Sequence, residues 1–308
     1  MPADQASPPV SRENAAHLDA FAGHLATAPT HTRLAYLRDL SALAGFAQAS
    51  DLATLTKAQI ARHLATLHGR GLSGRSLGRM LSAWRAFYRF LHERASGPMV
   101  DPCAGLKAPK SARRLPSALT PDEASQLVAI DGDAPLSKRD RALFELAYSS
   151  GLRLAELAQL DLDRLDLTTG EVRVIGKGAK ERIVPVGAAA RDALRHWLEL
   201  RAAIGGVDDR AVFVGREGKR LSPRAIQSRL AGWSVKRGLS RHVHPHMLRH
   251  SFASHLLQSS GDLRAVQELL GHASIASTQV YTHLDYQYLA KAYDAAHPRA
   301  RKKPTAPR

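Results

Sequence analysis

Apolar residues recur every three or four positions through much of the first hundred residues of the chain. The clearest run consists of Leu77, Leu81, Trp84, Tyr88 and Leu91. Arginines occupy positions between them, so a helix here would carry one apolar stripe and cationic outer faces. The pattern predicts a compact helical domain over residues 10–98 with a basic surface.

A segment without helical periodicity follows this domain. Residues 97–116 contain four prolines outside the helical pattern. Four cations with no acid between them end the segment: Lys107, Lys110, Arg113 and Arg114. Proline interrupts regular structure and stiffens a chain. We therefore predict a basic linker over residues 99–117.

Helix signals reappear after the linker. Thr120 precedes a proline and two acids, which is typical of a helix start. A helix over 138–150 would end in a left-handed cap at Gly151. From residue 189 onward the pattern is mostly helical, with further starts at Ser222 and Asp262.

Two β-rich runs interrupt these helices. Residues 171–175 and 182–186 are joined by the glycine-containing turn 176–180, which predicts an antiparallel hairpin. The chain is therefore predicted to be mainly α. A small helical domain precedes a larger α+β domain over 118–298, which contains a small antiparallel sheet and is followed by a basic tail, 299–308.

The charge balance of the chain indicates what kind of partner it binds. Among 308 residues, 44 lysines and arginines face 28 acids, which gives a net charge of +16 and a pI near 10.4. This excess favours a polyanionic partner, although a merely basic enzyme would also show it. One cysteine, Cys103, cannot form an intrachain disulfide, and no run of about 18 apolar residues occurs. We expect no membrane association and a cytoplasmic location.

Two arginines, two histidines and a late tyrosine are the candidate chemistry: Arg153, His246, Arg249, His272 and Tyr281. A phosphodiester gains negative charge while its phosphorus is attacked, so an enzyme that cleaves it must supply fixed cations. Arginine grips two phosphate oxygens and stays ionised, and histidine moves protons near neutral pH. A tyrosine that attacks phosphorus keeps the bond energy in a phosphotyrosyl ester. The strand could then be resealed without ATP.

This set of residues resembles the signature of the tyrosine recombinases, the phage integrase family, over nearly the whole chain. Segments 149–153, 281–284 and 294–299 further resemble the members that resolve chromosome dimers. The resemblance implies a DNA breaking–rejoining enzyme fold, with a core-binding domain and a catalytic domain. It also implies double-stranded DNA and a XerD-type recombinase as partners in a heterotetramer, with a division-linked DNA translocase as regulator.

The resemblance gives the first four candidates their roles. Arg153 and Arg249 would hold the two non-bridging oxygens of the scissile phosphate. His246 and His272 would donate hydrogen bonds to the same group or assist proton transfer. Composition alone does not separate a simple tether from a DNA contact for the cationic linker. The resemblance implies that it follows the DNA backbone.

Two further roles each have a competitor nearby in the chain. Lys177, in the hairpin turn, would be the general acid for the leaving 5′-hydroxyl, with Lys180 as its nearest competitor. Tyr281 would be the nucleophile, with Tyr286 as the alternative. The spacing from the Gly271–His272 pair to Tyr281 fits the family.

A metal site and a nucleotide site are the other candidate chemistries. His246 and His250 are four residues apart but lack a third zinc ligand at a recognisable spacing, and no P-loop occurs, so neither metal nor nucleotide is expected.

Three kinds of function remain as alternatives to a recombinase that resolves chromosome dimers. They are a mobile-element integrase or single-recombinase system, a type IB topoisomerase, and a non-catalytic architectural DNA binder.

Residues 288–308 contain a helical apolar spacing, at Leu289, Ala292, Tyr293 and Ala296, followed by cations. A short amphipathic helix needs a surface on which to bury its stripe. The resemblance implies that this segment is donated to a neighbouring protomer. The alternative is that it packs on its own catalytic domain.

Overall fold

The computed structural model forms two compact units, Met1–Arg113 and Arg114–Arg308. The division falls within the predicted linker. No helix in the described part of the chain is both long and apolar enough to span a bilayer. The described residues are 11–48, 50–95, 97, 99–110, 118–176, 181–204, 206, 208, 210–271, 293 and 296–300.

The first unit is helical, as predicted. A short 3₁₀ turn, Leu52–Thr54, separates its second and third helices. The α-helices are α1 (Arg12–His24), α2 (Thr30–Ala47), α3 (Lys57–Gly69) and α4 (Gly74–Arg94).

Helix α4 forms the centre of this unit. The Ser73 side chain caps its start by accepting a hydrogen bond from the backbone N–H of Ser76. All five apolar residues of the predicted stripe are buried. Two of them also satisfy polar groups: Trp84 Nε1 donates to the Asp39 carbonyl at 2.9 Å, and the Tyr88 hydroxyl donates to the Leu52 carbonyl at 3.0 Å.

A histidine lies inside the same core. The His63 ring is stacked between Phe46, with ring centroids 4.1 Å apart, and Trp84, at 5.5 Å. Neither ring nitrogen has a hydrogen-bond partner among the described residues. Burial, followed by the charge of Arg70, lowers the pKa of His63 to about 4. The ring is therefore neutral at physiological pH.

This burial predicts an acid-sensitive fold. The unfolded chain, with a His63 pKa near 6.5, binds the proton more readily than the folded chain. Stability that is present above pH 6.5 is therefore lost as the pH falls towards 4, by about 3 kcal/mol. Urea unfolding at several pH values should show this loss. His63→Phe, which keeps a ring in the stack, should show a smaller loss, and identical pH profiles would contradict the prediction.

The second unit is mainly helical with a small sheet, as predicted. The strands of its sheet lie side by side in chain order and pair antiparallel throughout. The strands are β1 (Leu165–Asp166), β2 (Glu171–Ile175) and β3 (Glu181–Pro185). The α-helices are α5 (Pro121–Val128), α6 (Pro135–Ser150), α7 (Leu154–Ala158), α8 (Ala188–Arg201), α9 (Pro223–Lys236), α10 (Pro245–Ser260) and α11 (Leu263–Leu270).

Helix α6 lies in the core of this unit and ends at Gly151. It begins at Pro135, three residues earlier than predicted, because proline is well suited to the first helical position. Gly151 is left-handed, with φ of 58°. A Cβ there would lie 2.4 Å from Cδ1 of Phe252 on α10. Only glycine allows α6 and α10 to approach this closely while the chain turns towards Arg153.

The described residues near the C-terminus pack on this same unit. Tyr293 and Ala300 are buried, and Arg299 Nε donates to the buried Glu145 carboxylate at 3.0 Å. A Cβ on Gly187 would lie 2.3 Å from the Arg299 carbonyl oxygen. Tyr293 and residues 296–300 thus pack on their own chain, and donation of the rest of the segment to a neighbouring protomer stays a prediction. Arg299 and Ala300, which the sequence places in a basic tail, belong to the packed part because the ion pair anchors them.

Candidate active site

Arg153 lies where the chain leaves α6 and enters α7. Its backbone N–H donates to Glu156 Oε2 at 2.7 Å, and its Nη1 donates to Glu156 Oε1 at 2.9 Å. Its Nη2 donates to the Gly271 carbonyl at 3.1 Å. The side chain is 41% exposed. The guanidinium is therefore anchored on one side and open to a ligand on the other.

Arg249 and His246 lie one turn apart near the start of α10, as their spacing predicts. Arg249 is only 6% exposed and donates to the carbonyls of Gly151 and Leu270. Burial, followed by the charge of Arg153, lowers the pKa of Arg249 to about 10. The guanidinium therefore stays charged at neutral pH. His246 is exposed at the first turn of the helix.

These three side chains line one cleft of about 410 Å³. The cleft brings together residues from the segment after α6 and from the start of α10, which lie about a hundred positions apart in the sequence. Gln227 of α9 and His244 also line it, and the sequence reasoning missed both. His244 could have been found, because it lies directly before α10 and only two positions from His246 in the sequence.

A buried ion pair lies behind Arg153, and it was also missed. Arg182 of β3 binds the Glu156 carboxylate with both terminal nitrogens, at 2.8 Å and 2.9 Å. Burial alone would raise the pKa of Glu156. The hydrogen bonds and charge of Arg182, together with those of Arg153, outweigh it and lower that pKa to about 2. Glu156 is therefore an anion that holds two arginines.

The other predicted site residues are distributed as follows. Lys107 and Lys110 are exposed residues of the first unit. The described chain reaches Gly271, directly before His272, and Gly176, directly before Lys177. The predictions outside the described residues are those for Arg113, Arg114, Lys177, Lys180, His272, Tyr281 and Tyr286.

The described part of the site has the charge and the opening with which an oxyanion could be held. It offers an anchored, half-open guanidinium, a second charged guanidinium at the base and an exposed imidazole at the rim. Preorganised cations of this kind stabilise a charge that develops on phosphorus. This geometry fits the chemistry inferred from the sequence.

Comparison with known proteins identifies the chain. Residues 117–288 match the phage integrase family, and residues 18–95 match the SAM-like N-terminal domain of phage integrases. The chain belongs to the phage integrase family. It is a site-specific DNA recombinase of the tyrosine type, as the resemblance implied.

Two XerC recombinases match over almost their full length. The tyrosine recombinase XerC of Chromobacterium violaceum is 53% identical over 287 residues, which cover 92% of this chain and 95% of the relative. The XerC of Pseudomonas syringae is 54% identical over 300 residues, covering 94% and 98%. Among solved structures, the XerH site-specific recombinase in a post-cleavage complex with a palindromic difH substrate matches with a TM-score of 0.70 and 26% identity, covering 90% of this chain and 83% of that chain.

Proposed function

We propose that the chain is a XerC-type recombinase that resolves chromosome dimers at cell division, in the cytoplasm and together with a XerD-type partner. The two recombinases would form a heterotetramer on duplex DNA, with a division-linked DNA translocase as regulator. The observation that carries the chemistry is the convergence of Arg153, His246 and Arg249 on one cleft. The likeness to XerC over more than nine-tenths of the chain supports the cellular role.

The two arginines neutralise the scissile phosphate. Arg153 and Arg249 each hold a non-bridging oxygen, and their charge is most valuable when phosphorus is five-coordinate. Their anchors limit the reorganisation needed at that moment, because both guanidinium groups already lie at the cleft. His246, exposed at its rim, donates a hydrogen bond to the same phosphate.

The remaining proposed roles fall on residues outside the described part of the chain. The phenolate of Tyr281, formed when a base or solvent takes its proton, attacks phosphorus and forms a 3′-phosphotyrosyl ester while the bond to the 5′-oxygen breaks. Lys177 gives that oxygen its proton, and His272 assists at the phosphate. Rejoining is the reverse reaction with a new 5′-hydroxyl, so the energy of the bond is retained.

The linker cations add affinity that does not depend on DNA sequence. Lys107 and Lys110 are exposed, and we extend this role to Arg113 and Arg114. Each phosphate that a cation neutralises releases counterions, so this part of the binding weakens as salt rises.

Covalent trapping tests the proposed function. The protein is incubated with nicked duplexes from a dimer-resolution region, with and without a XerD-type partner, and the products are separated under denaturing conditions. A DNA-linked peptide together with joined recombinant strands is expected. Relaxation of supercoiled DNA without recombinants would indicate a type IB topoisomerase, and binding without an adduct would indicate an architectural protein. Full recombination without the partner would indicate a single-recombinase system.

Lys177→Ala should slow cleavage of ordinary DNA by about 10²- to 10⁴-fold, because the leaving oxygen loses its acid. A substrate with sulfur at the 5′-bridging position should restore much of the rate, since a thiolate leaves without a proton. Lys180→Ala is the matched control and should cleave both substrates normally. If the sulfur substrate rescues His272→Ala but not Lys177→Ala, the acid is His272.

A further inference from the structure

Arg182 is a buried arginine of β3 with three hydrogen bonds. Two of them join its terminal nitrogens to the two oxygens of Glu156, and its Nε donates to the Leu269 carbonyl at 3.0 Å. Only 6% of the side chain is exposed, and the described residues that line the cleft do not include it. It therefore has the contacts of a support for other residues.

The first group that it supports is Glu156. The same carboxylate accepts the backbone N–H and the Nη1 of Arg153. Because Arg182 occupies one side of the carboxylate with a planar two-point contact, the other side has a fixed direction. The position of the Arg153 guanidinium thus depends on Arg182 through one intervening residue.

The second group is the C-terminal end of α11. The last carbonyls of a helix have no partner within it and carry partial negative charge. Here three consecutive carbonyls each receive an arginine. Arg182 donates to that of Leu269, Arg249 to that of Leu270 and Arg153 to that of Gly271.

These three hydrogen bonds also hold parts of the site in fixed positions relative to one another. They join the strand that follows the Lys177 turn, the two cleft arginines and the residue before His272. Buried ion pairs contribute little net stability compared with apolar packing, because both charges lose their hydration. A gain in stability alone is thus a weak explanation for the Arg182–Glu156 pair.

We propose that Arg182 is a positioning residue for DNA strand cleavage. It fixes Glu156, which aims Arg153 at the phosphate, and it fixes the end of α11 on which the same arginines converge. Arg182 does not touch the phosphate. This inference rests on the proposed role of Arg153 in neutralising that group.

Arg182→Lys is the variant that tests this. Lysine keeps a positive charge beside Glu156, but its single ammonium group cannot reproduce the planar fork and the contact with Leu269 together. Arg139→Lys is the matched control. Arg139 is buried in the same unit, binds Asp140 through Nε at 3.0 Å and Nη2 at 2.6 Å, and donates to the Val214 carbonyl at 3.0 Å.

The measurement is the rate of covalent adduct formation on two nicked duplexes. One has an ordinary scissile phosphate and the other a methylphosphonate, in which a methyl group replaces a charged oxygen. A mispositioned Arg153 matters most where charge must be neutralised. Arg182→Lys should therefore be about 10- to 100-fold slower on the phosphate, on the scale of a small misplacement of a catalytic group, and near wild type on the methylphosphonate. Arg139→Lys should match wild type on both.

An equal loss on both substrates, or no loss on the phosphate, would overturn the positioning role. Arg153→Ala is run in parallel. If Arg153→Ala cleaves the phosphate normally, the proposed role of Arg153 fails, and that result is distinct from a failure of Arg182 alone. If Arg182→Lys does not fold, the double variant Glu156→Gln with Arg182→Met, which removes both charges of the pair, should show the same selective loss on the phosphate. An equal loss on both substrates would again overturn the inference.

Discussion

Tyr281→Phe should abolish the covalent protein–DNA adduct while leaving DNA affinity unchanged. The substitution removes one oxygen atom and keeps the ring, so only the nucleophile is lost. Removal of a nucleophile lowers the rate by about 10⁴-fold or more. The adduct is measured on nicked duplexes by denaturing electrophoresis, and affinity is measured by gel shift.

Tyr286→Phe is the matched control for this prediction. Tyr286 lies five residues after Tyr281 and is the other candidate nucleophile. The Tyr286 variant should form the adduct at the wild-type rate, and the DNA-linked peptide should contain Tyr281. A persistent adduct in Tyr281→Phe, or a peptide linked through Tyr286, would reassign the nucleophile.

The sequence predicted those parts of the fold that depend on local patterns. The apolar stripe of α4 has a helical period, and all five of its members are buried. The hairpin of β2 and β3 was visible as two β-rich runs around a glycine-containing turn. Gly151 was recognisable as a helix end because few other residues adopt its left-handed conformation.

The candidate site was partly predictable for the same reason. Arg249 and His246 share a helical turn, which sequence spacing reveals directly. Arg153 follows a glycine cap, which places it at the end of a rigid helix. Their convergence on one cleft came from the family resemblance, since no local pattern relates residues a hundred positions apart.

The supports of the site could not be predicted. Glu156 and Arg182 are 26 positions apart, and charged residues of both kinds are common in the chain. At the C-terminal end of α11, the three arginines donate to backbone carbonyls, which every residue carries. Only the tertiary fold selects these carbonyls, so no sequence pattern could have identified them. The same holds for the ion pair of Arg299 with Glu145, which spans 154 positions.

The difference in burial between the two cleft arginines separates their expected effects on stability. Arg249 is almost completely buried, and its removal leaves the carbonyls of Gly151 and Leu270 without their donor. A buried polar group that loses its partner costs about 1–3 kcal/mol. Arg153 is 41% exposed, and Glu156 retains Arg182 when Arg153 is removed. Thermal unfolding should therefore occur at a lower temperature for Arg249→Ala than for Arg153→Ala.

Both alanine variants should nevertheless slow strand cleavage by about 10²- to 10⁴-fold, because each removes a cation from the five-coordinate phosphorus. Rejoining passes through the same charged centre, so it should slow by the same factor. On a substrate that permits rejoining, the final fraction of adduct should thus match wild type while the time needed to reach it lengthens. Arg249→Lys, which keeps the charge without the two-pronged contact, should lie between alanine and wild type. A lower final fraction reached at the wild-type rate would show that these arginines stabilise the adduct and not the transition state.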